Sequence, residues 1–237
     1  MSGELNIISP SKEDICLIYT VDCLINDENK SDIIQLIKKL DLGIDDVQVE
    51  QEDSIVDALP KNLPDNMKKI ARYLEKTDAA FIDTIHHKFD KDGNYQSKEK
   101  FNLKTNESKG TQKLFALSGL LLNTLKEGDI LIIDELDSSL YLFITTAIVE
   151  LFNSKEGNPN NAQLIFMTHD TNLLSNKMFR RDQIWFTEKN RYSATDLYSL
   201  AEYKIRNDAS FENDYIKGRY GAIPYIGDLT HLADSHV

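Results

Sequence analysis

Ile130-Leu131-Ile132-Ile133-Asp134-Glu135 decides how this chain is read. Four apolar residues run directly into two acids, and a Gly128-Asp129 pair precedes them. A short apolar run bounded by a turn predicts a fully buried strand, most often a central one in a parallel sheet. Open α/β sheets bind ligands at the carboxyl ends of their strands, which is where Asp134 and Glu135 would stand. The plain alternative is a core strand that happens to end in two acids.

The surrounding pattern supports a sheet. Residues 108–126 predict an amphipathic helix with Leu114, Leu117, Leu121 and Leu125 on one stripe. After the strand, a helix is expected over 139–153, a polar loop over 154–161, and a second buried strand over 164–168. A short helix from Thr171 and a third strand over 183–188 complete the alternation, which argues for a parallel sheet covered by helices. Upstream, residues 80–103 predict a β-hairpin around Asp90-Lys91-Asp92-Gly93-Asn94. The turn fails as a calcium loop, because its glycine comes too early and Phe101 holds the twelfth position. His86 and His87 adjoin on a strand, so they point to opposite faces and make a poor chelating pair.

Further towards the N-terminus, helices are expected over 11–26 and from Ser31 to a stop at Gly43. A half-buried strand follows over 44–50, a loop or pair of turns over 53–65, and a charged helix over 65–78. Three regions result: 1–79 as a helical and α+β part, 80–226 as an α/β lobe, and 227–237 as a tail, frayed from Thr230 onward. With 237 residues the chain can bury a substantial core. Its net charge of −12 argues against broad adhesion to nucleic acid or anionic lipid. The two cysteines, Cys16 and Cys23, are spaced to share one face of a helix as buried thiols. No apolar run reaches the ~18 residues of a membrane span, and the N-terminus lacks secretory-signal features, so the expected compartment is the cytoplasm.

Four segments in fixed order carry the candidate chemistry. Glu107-Ser108-Lys109-Gly110-Thr111 lies at a hairpin-to-helix junction, where a helix N-terminus can receive an anion; Ser108 can equally be a simple cap. Asp134-Glu135 comes next. Leu136-Asp137-Ser138-Ser139 follows, with an acid and hydroxyls that can reach a neighbour's nucleotide or merely cap a helix. Last, the strand Leu164-Ile165-Phe166-Met167 leads through Thr168 to His169 and Asp170. A histidine there can donate to a terminal phosphate and sense its loss, although a lone histidine is usually structural.

Together these segments resemble the C-terminal lobe of an ABC-type ATPase head, as in RecF and SMC proteins. The likeness is closer to prokaryotic AAA-family ATP-binding proteins, many tied to anti-phage or restriction-like systems. Their Glu-Ser-x-Gly-Thr signature matches 107–111, and their apolar strand ending Asp-Glu-Leu-Asp (the Walker B element) matches 130–137. Their Thr-His-Asp switch matches 168–170. An Arg-Arg-Asp-Gln-Ile-Trp-Phe strand matches 180–186, and a closing Arg-Tyr-Gly-Ala-Ile-Pro matches 219–224. The resemblance implies a P-loop NTPase-like fold with ATP and Mg²⁺ as cofactors. Asp134 would hold Mg²⁺, Glu135 would act as general base, and His169 would contact the γ-phosphate. Ser108, Gly110, Thr111, Asp137 and Ser139 would face nucleotide bound by a second head.

Two departures qualify the match. The family continues Ser-Leu-His-Pro after the acids, where this chain has Ser139-Leu140-Tyr141-Leu142. No G-x-x-x-x-G-K-[ST] loop occurs in these residues, so the backbone cradle and the lysine for the β- and γ-phosphates are not among them. Charge-assisted hydrogen bonds of that kind contribute about 1.5–3 kcal/mol each, so little or no ATP binding is expected of this polypeptide alone. The expected partner is a second head in a homodimer or an N-terminal lobe carrying the P-loop, with a sheet edge left open for it. DNA or an effector protein are further partners of an assembled complex, and no membrane is expected. A non-hydrolysing regulatory module is the main alternative, and a metal-dependent nuclease the weaker one.

Overall fold

The computed structural model describes residues 5–9, 13–26, 29–40, 42–51, 80–206 and 209–224. It divides into a unit spanning Met1–His169 and a smaller one spanning Asp170–Val237. The loop expected over 53–65, the helix over 65–78 and the tail lie outside the described residues.

The first unit holds a parallel sheet of three strands in the order β1 (Leu5–Ile8), β5 (Ile130–Ile133) and β6 (Gln163–Phe166). Ile133 pairs with Ile8 on one side and with Phe166 on the other. The acid-tipped strand is therefore central, as its composition predicts. Its faces differ, however: Leu131 and Ile133 are buried, whereas Ile130 and Ile132 are half-buried. β1 was not foreseen, since four residues interrupted by Asn6 carry too short a pattern.

A second sheet, antiparallel, comprises β2 (Asp46–Gln51), β3 (Ala80–Phe89) and β4 (Tyr95–Asn102). The β3–β4 turn is built by Asp90, whose Oδ1 accepts from the N–H groups of Asp92 (2.9 Å) and Asn94 (2.8 Å). Those donors hold the Asp90 carboxyl below its ordinary pKa. Gly93 supplies the left-handed residue that closes the turn, with φ 84°.

Five helices belong to this unit among its described residues: α1 (Glu13–Ile25), α2 (Lys30–Lys39), α3 (Leu103–Asn106), α4 (Lys109–Glu127) and α5 (Leu142–Asn153). α1 and α2 pack on α4, which together with α5 also touches the parallel sheet. A core of Val21, Ile33, Ile37, Val47, Ile82 and Phe115 joins α1, α2, β2, β3 and α4; burial stabilises each such side chain by about 1.5–3 kcal/mol. Cys16 and Cys23 are both buried on α1 and form no disulfide. None of the described helices is long and apolar enough to cross a membrane.

The approach of α1 to α4 depends on a missing side chain. Thr20 Oγ1 donates to Ala116 O (2.7 Å) and accepts from Gly119 N–H (3.1 Å). A Cβ at Gly119 would lie 2.7 Å from that hydroxyl oxygen and 2.9 Å from Thr20 Cα. Gly119→Ala is therefore expected to destabilise the protein by about 1–3 kcal/mol, overriding the ~1 kcal/mol that alanine gains in helix propensity. Urea unfolding would read it directly, and an unchanged or higher midpoint would show that the helices can part without loss.

The smaller unit corrects one expectation. Its strand is β7 (Trp185–Lys189), which pairs antiparallel with β8 (Thr195–Ser199) rather than extending the parallel sheet. Residues 181–183, expected to lead that strand, form a 3₁₀ turn instead. Asn190 builds the hairpin turn as Asp90 does, accepting from Tyr192 and Ala194 N–H. Ser193 takes the left-handed position at φ 62°. A helix, α6 (Phe211–Ile216), completes this unit's described elements. Phe186 stacks on Tyr215 and Tyr220. The hydroxyls of Tyr198 and Tyr203 both donate to Tyr220 O, at 2.7 and 3.0 Å, fixing the stretch that holds Arg219, Tyr220 and Gly221. Burial, reinforced by Glu188, raises the Tyr198 hydroxyl pKa.

Candidate functional site

β5 and β6 run parallel, so the residues that follow them emerge at one rim of the sheet. Asp134 N–H donates to Ile8 O (2.9 Å), Leu136 N–H to Met167 O (3.1 Å) and Met167 N–H to Ile133 O (3.0 Å). The acid pair is thus tied on one side to β1 and on the other to the segment that reaches His169 two residues later. Leu136 anchors the turn from below, fully buried. Asp134 and Glu135 are half-buried, and His169 is exposed.

The backbone turns immediately after Asp134. Glu135 has φ 53° and Ser139 φ 63°, both in the left-handed region that residues with a Cβ disfavour. Ser138 N–H donates to Glu135 O (3.0 Å) and Leu140 N–H to Asp137 O (3.1 Å), closing successive turns. The helix expected from Ser139 starts instead at Leu142; Ser139, at φ 63°, cannot itself take right-handed helical backbone. Asp137 and Ser138 are half-buried and Ser139 is exposed. One carboxylate oxygen of Asp137, Oδ1, is buried with no hydrogen-bond partner. Tyr141 and Phe143 stand exposed beyond the turn, ring against ring at 5.4 Å.

The signature segment packs against this turn. Ser108 is the N-cap of α4: its Oγ accepts from Thr111 N–H (3.1 Å) and lies 2.9 Å from Thr111 Oγ1. Capping does not exhaust a hydroxyl, which has one donor and two acceptor positions, and Ser108 remains exposed, whereas Thr111 is buried. Gly110 comes so close to the acid turn that a Cβ there would lie 2.4 Å from Ser139 O. Lys113, one helical turn further, donates from Nζ to Glu135 O (2.7 Å) and Ser138 O (3.0 Å).

Glu107, the first signature residue, is held from the hairpin. Its Oε1 accepts from Thr84 Oγ1 and lies 2.7 Å from His86 Nε2. His87, on the opposite face of β3, pairs with Asp45 at 2.9 Å. The signature Ser108 and Gly110 and the turn carrying Asp134, Glu135, Asp137 and Ser139 are thus brought together, and His169 shares the rim of the acids. Sequence reasoning overlooked Lys113 and the Glu107–His86 tie. The one signal for Lys113 was its position three residues after Gly110, on the same helix face.

Among the described residues no three His, Cys, Asp or Glu side chains group as a protein-only metal cage. Mg²⁺ is usually held by one or two carboxylates together with phosphate oxygens and water. The half-buried Asp134 at the carboxyl edge of the sheet fits that manner of binding.

No curated protein matches the chain. A sequence profile does: that of the family described as "AAA domain, putative AbiEii toxin, Type IV TA system" covers residues 26–175. That stretch contains the hairpin, the signature segment, the acid turn and His169, and it is more than half of the chain, which belongs to this family of AAA-type, ATPase-like domains.

Proposed function

We propose that this chain is the C-terminal lobe of an ABC-type ATPase head, binding and hydrolysing ATP once another polypeptide segment supplies the P-loop. One observation carries the reading: Asp134, Glu135 and His169 follow adjacent parallel strands at one rim, with the signature turn of α4 packed on the acid turn. Asp134 would hold Mg²⁺, which when bound neutralises charge on the transferred phosphate. Glu135 takes the proton of the attacking water. His169, exposed at the same rim, donates to the γ-phosphate. The first turn of α4, with Ser108 and Gly110, presents the positive end of a helix dipole to phosphate held by a second head. The exposed Ser139 and the half-buried Asp137 of the acid turn would face that head. A role in a prokaryotic defence or DNA-maintenance system accords with the toxin system named in the family description, with DNA or an effector protein as partner.

Isothermal titration of the chain alone with millimolar ATP should show weak or no binding, because the phosphate cradle is not among these residues. Micromolar affinity would overturn the division of labour. Adding a P-loop-bearing polypeptide encoded in the flanking reading frames should then bring Mg²⁺-dependent ATP hydrolysis. An assembly that binds ATP without hydrolysing it would leave only a regulatory module.

A further inference from the structure

Lys113 is only 6% exposed, unlike its neighbours Lys104, Lys109 and Lys126, which lie in solvent. An ammonium group withdrawn from water is strongly disfavoured unless good acceptors replace its hydration. The acceptors of Lys113 include the carbonyls of Glu135 and Ser138. Both belong to the turn in which Glu135 and Ser139 adopt left-handed backbone, a conformation that persists only where the surroundings enforce it. Gly110 closes the far end of the same turn by its contact with Ser139 O. Two residues of one α4 face, three apart, thus grip the turn near both ends.

We propose that Lys113 is a positioning residue: it fixes the left-handed conformation of Glu135 and with it the direction of the Glu135 carboxylate. The effect on turnover rests on the proposed role of Glu135 as base; the clamp itself does not. Its reach is short and specific. The carbonyl that Lys113 holds belongs to the residue whose side chain must face the water, so a shift of that backbone re-aims the carboxylate while Asp134, bonded to β1, stays in place.

Hydrogen exchange on the full chain tests the clamp without nucleotide. In Lys113→Met, the amides of Ser138 and Leu140 should exchange at least about tenfold faster, while those of β5 and the body of α4 are unchanged. Lys113→Arg, which keeps a charged donor, should stay within about threefold of the parent. If Lys113→Met does not fold, Lys113→Gln carries the same comparison. Glycine accepts φ > 0 without help, so in a Glu135→Gly background the effect of Lys113→Met should shrink to less than about threefold. Unchanged turn amides, or an undiminished effect in the glycine background, would overturn the proposal. In the P-loop-complemented assembly, Lys113→Met should lower kcat about 10–100-fold with KM for ATP unchanged, and Lys113→Arg should recover most of it. Parallel losses in kcat and ATP affinity would mark Lys113 as merely structural. A wild-type assembly without ATPase activity would count against the ATPase reading, and the exchange comparison would then decide the clamp.

Discussion

Glu135→Gln is expected to slow ATP turnover by the P-loop-complemented assembly by about 10²–10⁴-fold, the usual weight of a positioned general base. The substitution keeps the volume and the planar end of the side chain while removing its charge and its basicity. Glutamine tolerates φ 53° no better and no worse than glutamate, so the turn that Lys113 and Leu136 hold should survive. Nucleotide affinity should stay within about threefold, because the change acts on the transition state rather than on ground-state binding. The variant should therefore accumulate bound ATP. Asp134→Asn makes the contrast: loss of the metal-facing carboxylate should weaken Mg²⁺-dependent binding itself. Single-turnover hydrolysis together with ATP titration separates the two effects. A Glu135→Gln assembly that hydrolyses at more than about a tenth of the parent rate would remove Glu135 from the role of base.

How much of the fold and the site was legible beforehand depended on whether a pattern is local. The acid-tipped strand was, because four consecutive apolar residues demand burial and the two acids after them demand its end. The hairpin at residue 90 was legible through Gly93. Its counterpart at residue 190 uses the same side-chain-capped turn, but Ser193 fills the left-handed position, and without glycine the signal vanished. Its first strand therefore read as part of the parallel sheet. The late start of α5 was hidden for a related reason. Ser138 and Ser139 look like caps, and nothing in their identity shows that Ser139 takes left-handed backbone with its carbonyl close against Gly110. Lys113 was passed over as a site residue because lysine on an amphipathic helix is ordinarily solvated, and its spacing from Gly110 is a weak signal until the fold brings the carbonyls of Glu135 and Ser138 within its reach. Close motifs such as the signature and the Asp-Glu pair could be found in sequence, whereas their mutual contact is a tertiary fact.

Phe115→Ala should cost about 3–5 kcal/mol of folding stability, at the upper end for a core truncation. Phe115 is fully buried on α4, amid Ile33 and Ile37 of α2, Val47 of β2, Ile82 of β3 and Leu103 of α3. A cavity is costly when its walls cannot close, and here they cannot. β2 and β3 are locked in a six-residue antiparallel register, and α1 already touches α4 at Gly119 with no space left to move inward. The lost contacts would therefore stay lost, and transfer and cavity terms would add. Against a total stability of about 5–15 kcal/mol for a typical domain, the variant should remain folded but shift far along a urea titration. Phe115→Leu, nearer in volume, should lose less than half as much. Phe115 and Lys113 lie on opposite sides of α4, two residues apart, so the core that seats Phe115 also fixes the rotation that carries Lys113 and Gly110 onto the acid turn. Phe115→Ala should accordingly loosen that turn as well, with faster amide exchange at Ser138 and Leu140. A truncation costing under about 1 kcal/mol, or one that left those amides untouched, would show that α4 is held in register by something other than this core.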